Sequence, residues 1–436
     1  MNIRFYNAQI LPMNGNMDII HGEVWVEGNT ITYVGPHKEC GNVWDREIDA
    51  EKNLIMPGFK NAHTHTAMTF LRSYADDMPL QDWLTKQIFP MEAKLQPDDI
   101  YWLSKLGIME YLTSGITSCF DMYLNTEMMA KASVECGFRS VLVSGINDFS
   151  SSLEEVEADF NTYNQYNELI RYCLGFHAEY TCSEELLKKI AELSQCYKAP
   201  VFAHMSETER EVAECVQRHG TTPAAYLDSL GLFEHGGGGY HCIWFTDEEI
   251  ELFRRKGLTA VTNPGSNTKL ASGIANTTAF LKHGVNMAIG TDGPASNNCL
   301  DMFREMFLTT ALAKVKEQDA ACVPAEEVLY MATAAGAQCM GLADCDSLAV
   351  GKKADIIMID LMQPNMQPEN DIAKNIVYSG SKQNVIMTMV NGRILYENGQ
   401  FEIGFDPKEI YAKANAVIGR IGIQKPRGAG ICKPYL

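Results

Sequence analysis

Residues 54–68 read LIMPGFKNAHTHTAM, an apolar, strand-like run leading into an H-x-H pair, His63 and His65. In an extended strand the side chains alternate faces and rise about 3.3 Å per residue. The two imidazoles therefore point the same way, roughly 6.6 Å apart at the backbone. From there both can converge on one ion at about 2.0–2.1 Å. An H-x-H pair alone is common, so the reading rests on three further residues along the chain. His204, His241 and Asp292 also sit at the C-terminal ends of apolar, strand-like runs.

Beyond this run, the middle of the chain alternates strand-like and helix-like patterns, which predicts a parallel sheet covered by helices. Eight strands are expected: 54–59, 116–123, 139–146, 173–179, 201–207, 239–245, 258–263 and 285–292. Helix starts are marked by Thr-x-x-Glu capping boxes at Thr181/Glu184 and Thr246/Glu249. Eight β-α units imply an α/β fold of the (β/α)₈ TIM-barrel class. Both chain ends instead carry short alternating runs with Gly and Asn at the turns, such as EVWVEGNTITYVG and NVIMTMVNGRILYENGQFE. These are expected to pair into a small β-sandwich domain beside the barrel. The division is then 1–57 for its N-terminal part, 58–345 for the barrel, and 346–436 for its C-terminal part with a terminal helix.

In such barrels the active site lies at the C-terminal ends of the strands. Five of the ten histidines fall there: His63, His65, His177, His204 and His241. His21, His37, His219 and His283 fall in loop or helix positions, and His235 enters its strand at the opposite end of the barrel.

The chain has 436 residues, 46% hydrophobic and 21% charged, with a formal net charge of −19. That charge disfavours nucleic acid and acidic membrane surfaces as partners and leaves neutral or cationic small molecules open. Thirteen cysteines, an odd number without a C-x-x-C pair, read as buried thiols in a reducing compartment. No apolar run reaches the roughly 18 residues of a membrane span. A cytoplasmic location is expected.

Three imidazoles and one carboxylate leave a position open for water on a zinc-like ion, whose bound water acidifies to a pKa of about 7. Asp292 can serve both as ligand and as proton acceptor. His241 can ligate the ion or hydrogen-bond the attacking water and the developing oxyanion. Glu207 lies three residues after His204, past the strand end, where a general acid/base can reach substrate without binding the ion. Strand 4 (CLGFHAE) carries no lysine to bridge two ions, so one metal per subunit is expected. Histidine with carboxylate also accepts iron or manganese.

The segments PGFKNAHTH, HMSETE, YHC, GTDGPASNN, MATAAGAQCMGL and SLAVGKKADIIMID together resemble the amidohydrolase superfamily. The likeness spans essentially the whole chain. Within the superfamily the sequence is most similar to the 5′-methylthioadenosine/S-adenosylhomocysteine deaminases, relatives of the triazine chlorohydrolases. FLRSYADDMPLQDWL, IFPMEAKL, FHAEYTCSEELL and SNTKLASGIAN carry that narrower likeness. It implies zinc on His63, His65, His204 and Asp292, proton transfer by Glu207, and a water oriented by His241. It further implies Glu92 on the ribose hydroxyls, Trp83 near the 5′ substituent and His177 against the nucleoside. The implied reaction is hydrolytic deamination of adenine at C6 in a small-molecule nucleoside, by a homo-oligomer. The alternative within the superfamily is a deaminase or chlorohydrolase of another amino-heterocycle: a free purine, a pyrimidine or a triazine.

Two departures stand out. Family members that grip S-adenosylhomocysteine are expected to carry arginine after strand 3, yet residues 140–170 contain no Arg or Lys. Ser144 and Ser152 stand near those places, leaving Arg72 as the candidate to hold a substrate carboxylate. At strand 7 the family's His-Asn-Pro is Thr262-Asn263-Pro264 here.

Overall fold

The computed structural model describes residues 1–423 apart from 16, 40, 42 and 151. Eight parallel strands run in sequential order around the barrel: β1 (Phe59–Thr64), β2 (Ile116–Asp121), β3 (Arg139–Val143), β4 (Ile170–Ala178), β5 (Val201–Met205), β6 (Gly237–His241), β7 (Thr259–Thr262) and β8 (Asn286–Ile289). Each pairs with its neighbour in parallel register.

The barrel closes differently. No ladder joins β8 to β1 among the described residues. Instead the Asp292 amide donates to the His63 carbonyl at 3.0 Å. The Asn61 side chain accepts from the Thr291 amide at 2.8 Å and donates to its hydroxyl at 2.7 Å. Gly290 permits this approach, because a Cβ there would lie 2.7 Å from the His63 nitrogen. The closure itself thus sets Asp292 beside His63.

The run at 54–59 is not one strand. It divides into Leu54–Pro57, which belongs to the terminal sheet, and β1, which begins at Phe59. Gly58 lies at the break, where a Cβ would meet Thr117 Cγ2 at 2.1 Å. The last strand is also shorter than expected, since the chain leaves the ladder at Gly290. Thr246 and Glu249 do form a capping box. Thr181 does not cap: it ends a short 3₁₀ turn, and Ser183 accepts from the Leu186 amide to start the helix Glu184–Tyr197.

The two chain ends combine into one nine-stranded sheet with its own core of Ile, Val and Met, including Ile3, Val24, Ile356 and Met389. Leu54–Pro57 and Ile356–Ile359 pair antiparallel at its centre. The sheet is pinned to the lower face of the barrel by a buried ion cluster. Asp355 receives Arg139 Nε at 2.8 Å and Nη2 at 3.0 Å, with Lys60 Nζ at 3.8 Å. Burial alone would raise this carboxyl, but Arg139 and Lys60 hold it down at about 2.

Inside the barrel, Phe120, Phe202, Tyr240 and Val261 fill a layer below the strand ends. Tyr240 stacks on the His63 ring at 3.8 Å and so forms the floor of the site. Among the described residues no helix is long and apolar enough to cross a membrane. The eleven cysteines among the described residues are free; six are buried, and Cys196 is exposed.

Candidate metal centre and substrate pocket

The five proposed metal-site residues converge. His63, His204 and His241 form one group and His63, His65 and Asp292 another, with ligand atoms in each group within 4.8 Å of one another. The His65 Nε2 atom lies 3.2 Å from Asp292 Oδ1 and 3.4 Å from His204 Nε2, and His63 Nε2 lies 3.6 Å from Asp292 Oδ1. Tetrahedral ligands at 2.0–2.1 Å from one ion stand about 3.3 Å apart. The donors fit that spacing.

The remaining ring nitrogens of three of the histidines are already used. His65 Nδ1 is bonded to the Met122 carbonyl, His204 Nδ1 to the His177 carbonyl at 2.7 Å, and His241 Nδ1 to Asn267 Oδ1 at 2.8 Å. Each such bond fixes the tautomer and turns Nε2 inward, as metal-binding imidazoles require. His63 is 0% exposed, and neither of its nitrogens has a protein hydrogen-bond partner among the described residues. A buried imidazole left so costs about 1–3 kcal/mol per orphaned group. An ion on His63 Nε2 relieves one of the two nitrogens, so the residues present fit a divalent metal. Burial drives His63 and His204 well below the usual imidazole value, which keeps both neutral and able to donate a lone pair.

Asp292 opposes its own burial. The adjacent His65 ring holds its carboxyl well below the usual range. Its Oδ2 receives the Ser266 hydroxyl at 2.6 Å and the Ser296 hydroxyl at 2.8 Å, while Oδ1 receives the Gly293 amide at 2.8 Å. Oδ1 thus faces the histidines, and Oδ2 is engaged.

Glu207 ends at the same place. Its Oε2 lies 3.9 Å from His241 Nε2, and Ser272 Oγ donates to Oε1 at 3.4 Å. Burial raises the carboxyl above its ordinary value, the direction that suits a group exchanging protons near neutrality. Left-handed backbone marks three of these segments: Ser206 (φ +50°), His241 (φ +72°) and Asp292 (φ +57°). Strain of this kind in non-glycine residues concentrates at functional sites.

A cavity of about 560 Å³ opens from these groups, within the range of small-ligand sites. Trp83, Glu92 and His177 all line it. Trp83 is buried among apolar neighbours that include Leu80 and Ile88. Glu92 stands beside Tyr123, and burial raises its carboxyl. The His177 ring, which burial pushes down to about 4, bonds Thr181 Oγ1 at 3.1 Å. The cavity's outer arm passes Ser144 and Ser150 and meets Glu127, Glu155 and Asp159. Among the described residues no lysine or arginine lines any of it.

Arg72 does not fill that gap. Its guanidinium pairs with Glu110 at 2.5 Å and donates to the Asn298 carbonyl at 2.7 Å. Ser152 caps the helix α1 (Leu153–Tyr163) through a capping box with Glu155 and is not among the residues lining the cavity. Of the histidines set aside, His235 is half-buried and bonds Gln195. His219 is half-buried, stacked on Tyr226 at 3.7 Å and 3.0 Å from Glu179. Sequence reasoning missed Ser266, Asn267, Ser272 and Ser296; the post-strand segments SNTKLASGIAN and GPASNN contained them, with no periodicity to single them out.

Comparison with known proteins agrees with this geometry. Residues 54–395 match the family described as Amidohydrolase family. The chain is 40% identical over 412 residues to a 5-methylthioadenosine/S-adenosylhomocysteine deaminase of Thermoanaerobacter pseudethanolicus, covering 92% of this chain and 95% of that protein. It is 39% identical over 410 residues to a 5′-deoxyadenosine deaminase of Methanothermobacter thermautotrophicus, again covering 92% and 95%. Among solved structures, an adenosine deaminase from Xanthomonas campestris with bound zinc superposes with a TM-score of 0.90 at 31% identity, covering 96% of this chain and 98% of that one. With a family match across most of its length and relatives aligned nearly end to end, this chain belongs to the amidohydrolase family.

Proposed function

We propose that the protein is a divalent-metal-dependent aminohydrolase that deaminates adenine nucleosides to the inosine-type product and ammonia, with zinc as the ion. The observation that carries this reading is the convergence of three imidazoles and one carboxylate, with a buried Glu207 beside them, at the closed end of a nucleoside-sized cavity. The named activities of the relatives support it.

His63, His65, His204 and Asp292 would hold the ion, which when bound acts as a Lewis acid that lowers the pKa of water to about 7. Glu207 takes the proton of the attacking water and delivers it to the ring nitrogen next to C6. A non-ligand glutamate does the same in other zinc deaminases. His241, its tautomer fixed by Asn267, orients the water and stabilises the charge that develops on its oxygen. The C6 hydroxyl then gives up its remaining proton, which Glu207 passes to the amino group, so that the C6=O bond forms as the C–N bond breaks and ammonia leaves. Asp292 acts through Oδ1, since Oδ2 is occupied by Ser266 and Ser296. Glu92 accepts from the ribose hydroxyls, Trp83 packs on the 5′ group and His177 contacts the nucleoside.

The 5′ group is small or uncharged: methylthioadenosine, adenosine or 5′-deoxyadenosine ahead of S-adenosylhomocysteine. The outer arm offers its carboxylate three acids and no cation. A homo-oligomer is the assembly we infer, and the mass in solution tests it. The function is tested by ammonia release from zinc-loaded protein on methylthioadenosine, S-adenosylhomocysteine, adenosine, 5′-deoxyadenosine and adenine, with Glu207→Gln as control. Turnover of nucleosides that vanishes in the variant supports the reading. Silence across the panel at full metal content moves the substrate to another amino-heterocycle.

A further inference from the structure

The segment that carries Glu207 is held by a second glutamate that touches neither the metal donors nor the cavity. After β5 the chain turns through Ser206 and Glu207 and enters the helix α2 (Glu209–His219), whose N-cap is Thr208. Thr208 and Glu211 have the spacing of a capping box, in which the glutamate ordinarily closes on the N–H of the capping residue itself. Half of that box is present, since the Glu211 amide donates to Thr208 Oγ1 at 3.1 Å. The carboxylate, however, reaches further back. Its Oε1 accepts the Ser206 amide at 2.7 Å and its Oε2 the Glu207 amide at 2.8 Å.

Ser206 needs this support, because its φ of +50° is a conformation L-residues avoid. Its carbonyl is held from the other side by the Ile243 and Trp244 amides, at 3.2 and 3.0 Å, from the loop after His241. The peptide before Glu207 is therefore gripped at both its N–H and its C=O. Glu211 is 4% exposed and makes no ion pair among the described residues. Burial, reinforced by the charge of Glu207, pushes its carboxyl up to about 7. A carboxylate that a helix could place in solvent is thus kept inside, facing two backbone amides.

We propose that Glu211 is the positioning residue of Glu207: it clamps the left-handed Ser206–Glu207 turn and so aims the proton-carrying carboxylate into the cavity. The proposal rests on the deaminase reading for its kinetic test, though not for its structural one. Misplacing a reacting group by about 1 Å costs on the order of 100-fold in rate.

The experiment uses the full-length, zinc-loaded protein and three variants: Glu211→Gln, Glu207→Gln and the double variant. The isosteric glutamine keeps the shape of the site but can accept only one of the two amides. Glu211→Gln is expected to lower kcat roughly 10- to 100-fold while KM stays within about threefold and zinc content is unchanged. In the Glu207→Gln background the same change is expected to alter the residual rate by less than about twofold, because a group acting through Glu207 has nothing left to act through. Hydrogen exchange of the Ser206 and Glu207 amides is expected to rise in Glu211→Gln.

A full, additive loss in the Glu207→Gln background would overturn the proposal, as would a loss confined to KM. So would unchanged amide exchange. If wild-type protein turns over no adenine nucleoside, the deaminase reading falls, and the amide exchange still decides whether Glu211 holds the turn.

Discussion

Asn267→Ala isolates the bond that orients His241. The Asn267 side-chain carbonyl accepts from His241 Nδ1 at 2.8 Å, and both residues are 1% exposed. The Asn267 amide nitrogen has no partner among the described residues. Truncation therefore removes a single useful bond, and its cost falls on the imidazole. A buried donor left without an acceptor loses about 1–3 kcal/mol. At 1.36 kcal/mol per decade this is roughly 5- to 150-fold in kcat/KM. It brackets the 10- to 100-fold cost seen when second partners of metal-site histidines are removed. The assay is kcat/KM on the best nucleoside, with zinc content measured on the same sample. Asn267→Asp, which keeps an acceptor at that position, is expected to retain more activity than the alanine variant. Activity of Asn267→Ala within twofold of wild type would refute the reasoning, since His241 would then hold its orientation unaided.

Other expectations are as direct. Methylthioadenosine should exceed S-adenosylhomocysteine in kcat/KM by at least about tenfold, a modest loss for a carboxylate set among uncompensated acids; equal efficiencies would mean that a cation reaches the arm. Asp355→Asn strands Arg139 and Lys60 as buried charges and is expected to cost about 3–5 kcal/mol in urea unfolding near pH 6. The folded Asp355 carboxyl, at about 2, lies below its unfolded value of about 3.9, so its contribution is complete above about pH 5 and fades as pH falls toward about 1. The wild-type advantage over Asp355→Asn should shrink by about 2–3 kcal/mol across that window, and a constant gap would contradict the assignment. Chelation of the ion should lower the thermal midpoint by roughly 4–5 °C, for free ion at about a thousand times its Kd before removal. An unchanged midpoint in protein shown to have lost its metal would contradict the fit at His63.

The residues of the proposed metal site, which the structure brings together, stood out in the sequence because barrel geometry confines such ligands. A ligand must stand at a strand's C-terminal end, and His63, His65, His204, His241 and Asp292 each come after an apolar run that announces such an end. The alternation of strand and helix fixed the class of fold for the same reason: periodicity is local. What escaped was tertiary. Leu54–Phe59 is apolar throughout, and only pairing partners divide it between two sheets. Arg72 looks free in a loop, yet Glu110, its partner, lies 38 residues away. Thr181 and Ser183 are both competent caps, and the preceding 3₁₀ turn decides between them. Ser266 and Ser296 resemble any polar loop residues until the turn at Asp292 folds its carboxylate onto them.

The seam between β1 and β8 joins parts of the chain 230 residues apart through side chains and one backbone bond. Bringing such distant segments together costs about 5 kcal/mol of chain entropy, the largest single loop closure in the barrel. A bound ion would span that seam, with His63 and His65 on one lip and Asp292 on the other. It would then serve as a clasp as well as a Lewis acid, and the apo barrel would loosen there before it does elsewhere. Proteolysis of chelated protein can show this directly, with first cuts expected near the β1 and β8 ends.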